Sequence, residues 1–329
     1  MNYIQQYRYV GTKYANTLES DISLSSSINM IMGEIRRKFI SILSPAKINL
    51  FLAITGKRVD GFHELCSLFS RINLQDKILL EMDLAGPNNC SILSTGVYKI
   101  PLDKTNTMAR AVDMVRRIVG FNGSVNIRIH KEIPPCSGLG GGSSNGANVF
   151  LSLLKILGHQ IAMAELPGYL AKIGSDCPFF LKETPQLVSG RGDILKDLEA
   201  RHVDGIRRIK FMIFKPNFDI STAWAYGQIV NNYTPKLLVR ELLIKFLQNL
   251  EQGNAVSIYN DFNSLVFDHY PELKKLRKML ADRGFNMALT GSGSACLVNF
   301  NHGSDYRLIS SLVKAQLGQD IFERSVTCM

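Results

Sequence analysis

The run Val125-Asn126-Ile127-Arg128-Ile129-His130-Lys131-Glu132-Ile133-Pro134-Pro135-Cys136-Ser137-Gly138-Leu139-Gly140-Gly141-Gly142-Ser143-Ser144-Asn145 decides how this chain is read. Its first five residues alternate apolar and polar, as a half-buried strand does. Beyond it Ala147, Phe150, Leu151, Leu154 and Leu157 recur at helical spacing and stop at Gly158. A glycine-rich loop is therefore set between a strand and a helix. Glycine admits positive φ and lets backbone amides approach a ligand with no Cβ in the way. The helix start adds unpaired N–H donors and a partial positive charge. Together these make a seat for phosphate oxygens. The competing reading, a flexible Gly/Ser linker, fits poorly because ordered elements flank the loop closely. The loop is not a Walker P-loop, since no Lys-Ser/Thr follows the glycines. Ser143 replaces the last glycine of a dinucleotide fingerprint, and no H-R-D or D-F-G marks a protein kinase.

Working outward, Phe39–Ile42 reads as an edge strand, and a second strand starts within Ser44–Ile54. A loop with an Asp60-Gly61 turn follows. Strands are expected at 78–82 and 91–93, and a helix over Thr107–Val119 with Asn106 or Thr107 as its cap. In the second half a strand is expected at 209–214. Helices are expected near 222–231, 236–250, 271–283 and 305–317, around short strands at 285–289 and 295–300. The polar stretch Asp193–Arg208 reads as turns and as a domain boundary. Without regular βαβα alternation, the class is α+β. The expected division is an N-terminal extension over 1–38, poorly ordered, then domains at 39–198 and 199–329.

The 329 residues suit about two domains. With 46% hydrophobic and 20% charged residues, the chain can bury a core. Its net charge of +10 suits anionic partners without choosing among them. The six cysteines are scattered with no C-x-x-C pair, which argues against a disulfide framework and a zinc ribbon. The histidines show no H-x₃-H or H-E-x-x-H spacing, so no metal site is expected. No apolar run reaches the roughly 18 residues of a membrane span. The expectation is a cytoplasmic protein with reduced thiols, not bound to membrane, a monomer or weak homodimer.

Three further segments carry candidate chemistry. Gly174-Ser175-Asp176-Cys177-Pro178 places a carboxylate in a turn among apolar residues. Asp176 reads either as a base or, more simply, as a helix cap or Asx-turn. Lys47, within Pro45-Ala46-Lys47-Ile48-Asn49-Leu50, either snorkels to water or meets a buried anion, and local sequence favours the first. Thr290-Gly291-Ser292-Gly293 reads as a tight hairpin or as a small-residue wall against a ligand.

Taken together, Pro45–Leu50, Gly138–Ser144 and Thr290–Gly293 closely resemble the three motifs of the GHMP small-molecule kinases, in the same order. The resemblance runs from about Ser44 to the C-terminus. The triple glycine and Asp60-Gly61-Phe62-His63 are similar to the branch that acts on a cytidyl-bearing alcohol in the non-mevalonate isoprenoid pathway. The resemblance implies a two-domain fold: an N-terminal domain like the second domain of ribosomal protein S5, and a ferredoxin-like C-terminal domain, with substrate in a cleft between them. It implies transfer of the ATP γ-phosphoryl group to the 2-hydroxyl of a diphosphocytidyl-linked methylerythritol, with Mg²⁺ accompanying ATP. Asp176 matches the family's catalytic base and Lys47 the lysine beside it. Asn106 matches a residue near the adenine. Pro134, Pro135, Cys136, Ser137, Gly138, Leu139, Gly140, Gly141, Gly142, Ser143 and Ser144 match the ATP loop. Asn49, Phe62, His63 and Tyr226 match the substrate site, where His63 pairs with the cytosine edge and Phe62 and Tyr226 lie against its faces. Phe62 stands where Tyr is usual, and Cys136 and Ser137 where Ala or Gly is common.

Two other readings compete. One is another GHMP kinase, acting on an amino-alcohol or sugar. The other is a nucleic-acid-binding protein, suggested by the charge and by Lys274-Lys275-Leu276-Arg277-Lys278, but no aromatic-interleaved basic groove supports it.

Overall fold

The computed structural model describes residues 37–229 and 233–329. The extension expected over 1–38 thus lies outside the described residues, except for its last two, which open the first strand. The chain forms two compact units. The first gathers residues up to Ser44, Gln75–Glu132 and Gly142–Cys177, and the second Pro45–Leu74, Ile133–Gly141 and Pro178–Met329. Strands β1 (Arg37–Lys57) and β2 (His63–Asp83) run through both.

In the first unit β3 (Cys90–Gly96) lies parallel to β4 (Ser124–Lys131), with Ile92 opposite Ile127. β4 lies antiparallel to β2, with Leu80 opposite Ile127. The expected alternation holds: Val125, Ile127 and Ile129 are buried, while Arg128 and His130 are exposed. Helix α1 (Thr107–Val119) starts where Asn106 Oδ1 accepts the Met108 amide at 2.9 Å, and ends at Gly120 in the left-handed region. It buries Met108, Ala111, Val112 and Val115, the apolar stripe of its sequence. Helices α2 (Gly141–Leu157) and α3 (Leu166–Ile173) complete the unit. A Cβ at Gly146 of α2 would come within 2.9 Å of Thr107 on α1, so the absence of a side chain there permits the close approach.

In the second unit β5 (Gln186–Gly190) pairs antiparallel with β2 and with β6 (Ile194–Asp197). α4 (Ala200–Arg207) leads to β7 (Lys210–Lys215), then α5 (Thr222–Gln228) and α6 (Lys236–Gln252). β8 (Tyr259–Asn260) joins β1 in parallel. α7 (Phe262–His269), α8 (Pro271–Ala281), β9 (Met287–Leu289), β10 (Cys296–Phe300), α9 (Gly303–Leu317) and β11 (Phe322–Thr327) follow. An antiparallel sheet runs in the order β11-β7-β10-β9. Its period-2 pattern divides the core. Phe211, Ile213 and Leu297 pack with Ile206, Phe246 and Leu250 on one face. Met212, Phe214 and Val298 pack with Leu273, Leu276, Ile309 and Val313 on the other.

Three expectations need correction. The polar Asp193–Arg208 stretch holds β6 and α4, because His202, Val203 and Ile206 supply a buried stripe within otherwise polar sequence. The two strands expected on either side of Ser44-Pro45 are one strand. Helix α7 was not expected: its run from Phe262 to His269 is short and its polar residues break the apolar pattern, yet Phe262, Val266 and Phe267 are buried.

Candidate active site

The glycine loop is built into the second unit through its first half. The Lys47 amide donates to Leu139 O at 2.9 Å, and the Ala295 amide donates to Ser137 O at 3.1 Å. Ser137 Oγ turns inward to Pro134 O at 2.7 Å. Gly138 has φ +81, and a Cβ there would lie 2.1 Å from Thr290 O. Gly140 has φ +66, and a Cβ there would meet Lys47 Cγ at 2.8 Å. Both glycines are therefore required twice, by backbone conformation and by space. Cys136, exposed, also has positive φ (52°), an uncommon conformation for a residue with a side chain. Gly138→Ala is expected to destabilise the protein by more than the roughly 1–2 kcal/mol of left-handed backbone alone, because Thr290 must also move. A lowered thermal midpoint together with lost activity would be the observed result.

Lys47 and Asn49 lie next to that loop half. Lys47 is 3% exposed, which corrects the snorkelling reading. Its Nζ donates to Asn49 Oδ1 at 2.9 Å and lies 4.5 Å from the centre of the Phe69 ring. Asn49 donates its amide to Thr290 Oγ1 at 3.0 Å, and Nδ2 to Ser67 Oγ at 3.0 Å. Thr290 Oγ1 in turn donates to Asn49 Oδ1 at 3.3 Å. The Thr290–Gly293 turn is thus more than a hairpin, since its carbonyl and hydroxyl brace both the glycine loop and Asn49. Segments near positions 47, 138 and 290 meet in one unit.

The second half of the loop opens α2 in the first unit. Gly142 O accepts from Thr107 Oγ1 at 2.6 Å. Ser144 is buried, 2.8 Å from Ser44 Oγ, which donates to Asn145 Oδ1 at 2.7 Å. Asn148 Nδ2 donates to Ser144 O at 2.9 Å. Asp176, half-buried, lies in the turn after α3, ahead of a 3₁₀ segment at Cys177–Leu181. Cys177 Sγ donates to Ser143 O at 3.3 Å, and a Cβ at Gly174 would be 3.3 Å from Ser143 Oγ. Burial, and then the charge of Asp176, push the Cys177 thiol up to about 12, so it stays protonated as that donor. Asn106 is 7% exposed, and its amide nitrogen donates to Pro101 O at 2.6 Å.

Phe62, His63 and Tyr226 belong to the second unit. The His63 ring is 5.1 Å from Tyr226 and 6.2 Å from Tyr233. Tyr226 packs edge-on against Phe262 at 4.9 Å. Burial, and then the Lys57 charge, pull the His63 imidazole below its ordinary value, so it is neutral at pH 7 and can both donate and accept. Sequence reasoning missed Tyr233, and also Thr107, which serves the glycine loop as well as heading α1. No motif marks Tyr233, whereas Thr107 directly follows a capping Asn.

The described residues hold no group of three or more His, Cys, Asp or Glu that could hold a metal. They therefore offer no carboxylate cage for Mg²⁺, and Ser144 Oγ is committed to protein partners.

Residues 106–183 match the family model described as the GHMP kinases N terminal domain, which spans α1, β4, the whole glycine loop and Asp176. Together with the fold, this makes the chain a GHMP kinase, an ATP-dependent small-molecule kinase. A solved structure of 4-(cytidine 5'-diphospho)-2C-methyl-D-erythritol kinase has a TM-score of 0.69 and 27% identity, covering 87% of this chain and 99% of that one. The 4-diphosphocytidyl-2-C-methyl-D-erythritol kinase of Syntrophotalea carbinolica is 31% identical, over 86% of this chain and 97% of its own length. That of Chlorobium phaeobacteroides is 35% identical, over 78% and 87%. This chain belongs to the 4-diphosphocytidyl-2-C-methyl-D-erythritol kinase family.

Proposed function

We propose that this kinase transfers the γ-phosphoryl group of ATP to the 2-hydroxyl of 4-diphosphocytidyl-2-C-methyl-D-erythritol, a step in the non-mevalonate synthesis of isoprenoid precursors. The observation that carries the reading is the meeting of Lys47, Asn49 and Thr290 in one hydrogen-bonded cluster packed against Gly138, alongside relatives of that name over most of the chain.

Phosphoryl transfer asks for positioning and charge stabilisation more than covalent chemistry. The amides from Gly138 to Ser144 hold the phosphates, and the steric need for glycine at 138 and 140 fits a loop whose backbone is presented to a ligand. Asn106 and Pro134–Ser137 flank the nucleotide. Asp176 accepts the hydroxyl proton, and Lys47, a buried cation, favours the alkoxide. Magnesium bound with ATP would supply counter-charge to its phosphates.

His63, neutral and set against Tyr226, reads the cytosine edge, with Phe62 and Tyr226 on the faces of the base. A site built for such hydrogen bonds rejects analogues that leave polar groups unpaired. His63→Ala is expected to raise KM for the cytidyl substrate at least about tenfold, the scale of one lost buried hydrogen bond, and to leave KM for ATP unchanged. Equal losses for both substrates would count against the assignment. The reading as a whole is tested by coupled ADP release with the purified protein and the cytidyl substrate, beside a panel of amino-alcohols and sugars. Turnover of the panel but not of the cytidyl compound would overturn it.

A further inference from the structure

Phe62 is 51% exposed, yet the turn that carries it is held by charge. Arg58 Nε donates to both oxygens of Asp60, at 3.2 and 3.1 Å, and its Nη1 donates to Glu64 at 3.0 Å. Glu64 Oε1 accepts the Gly190 amide at 3.1 Å, which ties the turn to the tip of the β5–β6 hairpin. At that tip Arg191 donates through Nε to Asp193 at 3.2 Å. Its guanidinium carbon lies 5.2 Å from the centre of the Phe62 ring.

The two arginines differ in what they have left to offer. Arg58 is committed to two carboxylates. Arg191 is 37% exposed and meets the Asp193 carboxylate through Nε, and its terminal nitrogens donate no hydrogen bond among the described residues, while its charge also acts on the Asp60 carboxylate. A guanidinium laid on an exposed aromatic ring, with its terminal fork unspent, suits phosphate oxygens. A base stacked on that same ring carries its ribose-linked phosphates within reach of a long side chain.

We propose that Arg191 is a specificity residue that binds the diphosphate of the substrate beside the Phe62 ring. The proposal rests on the reading of Phe62 and His63 as the cytosine site. It predicts that the protein prefers a cytidyl diphosphate over the bare nucleoside, and that this preference resides in the hairpin tip.

The test compares the full-length protein with Arg191→Met, which keeps the stem and removes the charge, and with Arg191→Lys. CDP and cytidine are used as probes in equilibrium binding, beside turnover of the cytidyl substrate. Arg191→Met is expected to weaken CDP and to raise KM for the substrate about tenfold, the scale of one charge-assisted hydrogen bond. Cytidine affinity, KM for ATP and the thermal midpoint stay unchanged, and Arg191→Lys recovers part of the loss. An equal loss for CDP and cytidine, or no loss for either, would overturn the proposal while leaving the kinase reading intact, because turnover by the unsubstituted protein reports on that separately. Failure of the unsubstituted protein to turn over the cytidyl substrate or to bind either probe would overturn both.

Discussion

Asp176→Asn is expected to lower kcat by about 10²–10⁴-fold, the range a positioned base contributes, equivalent to roughly 3–5 kcal/mol in the barrier. Asparagine keeps the shape of the side chain and removes its ability to take a proton. The turn that carries Asp176 has anchors besides that carboxylate. Cys177 Sγ donates to Ser143 O, and Gly174 lies against Ser143 Oγ. The glycine loop should therefore keep its form, and ATP affinity, measured by equilibrium binding, should stay near that of the unsubstituted protein. Unimpaired turnover in Asp176→Asn would remove the residue from the role of base.

Asp76→Ala is expected to cost about 3–5 kcal/mol of stability, as breaking a buried ion pair does. Lys131 Nζ donates to Asp76 Oδ2 at 2.5 Å, and their side chains are 3% and 0% exposed. Asp76 Oδ1 also accepts the Glu132 amide at 2.8 Å, just before the chain enters the glycine loop. Removing the carboxylate strands both an ammonium and an amide in the interior. Burial already holds the Lys131 pKa below its usual 10.5, and loss of the partner lowers it further. Below that lowered pKa the stability deficit of the variant is full. As pH rises through it toward 10.5 the folded state sheds a proton that the unfolded state keeps, so the deficit shrinks. Thermal melting across pH measures this. The double variant Asp76→Leu/Lys131→Met, which buries no lone charge, should melt well above Asp76→Ala. A single variant as stable as the parent would show the pair to be dispensable.

Much of the local structure around the candidate site was legible because its residues carry strong local signals. The glycines at 138 and 140 mark positive φ, and Ile127 and its neighbours in β4 show a clean alternation. Asn106 heads α1 as its type predicts. What escaped depends on partners distant in sequence. Nothing local to Lys47 says that Phe69 will lie beside its ammonium, so local reasoning favoured solvent. Nothing in Thr290–Gly293 says that its carbonyl will lie against Gly138. Helix α4 was hidden because its polar residues outnumber the buried face of His202, Val203 and Ile206, where tertiary packing rather than propensity decides. Arg191 carried no motif, and its interest appears only when the hairpin tip is seen over Phe62.

The interleaving of the two units has a practical consequence. The chain changes unit after Ser44, Leu74, Glu132, Gly141 and Cys177. No single scissile point can therefore free either unit as an uninterrupted polypeptide. Cuts between Ser44 and Cys177 should yield insoluble halves, and on the ribosome the second unit cannot finish assembling until long after the last residue of the first, Cys177, has emerged.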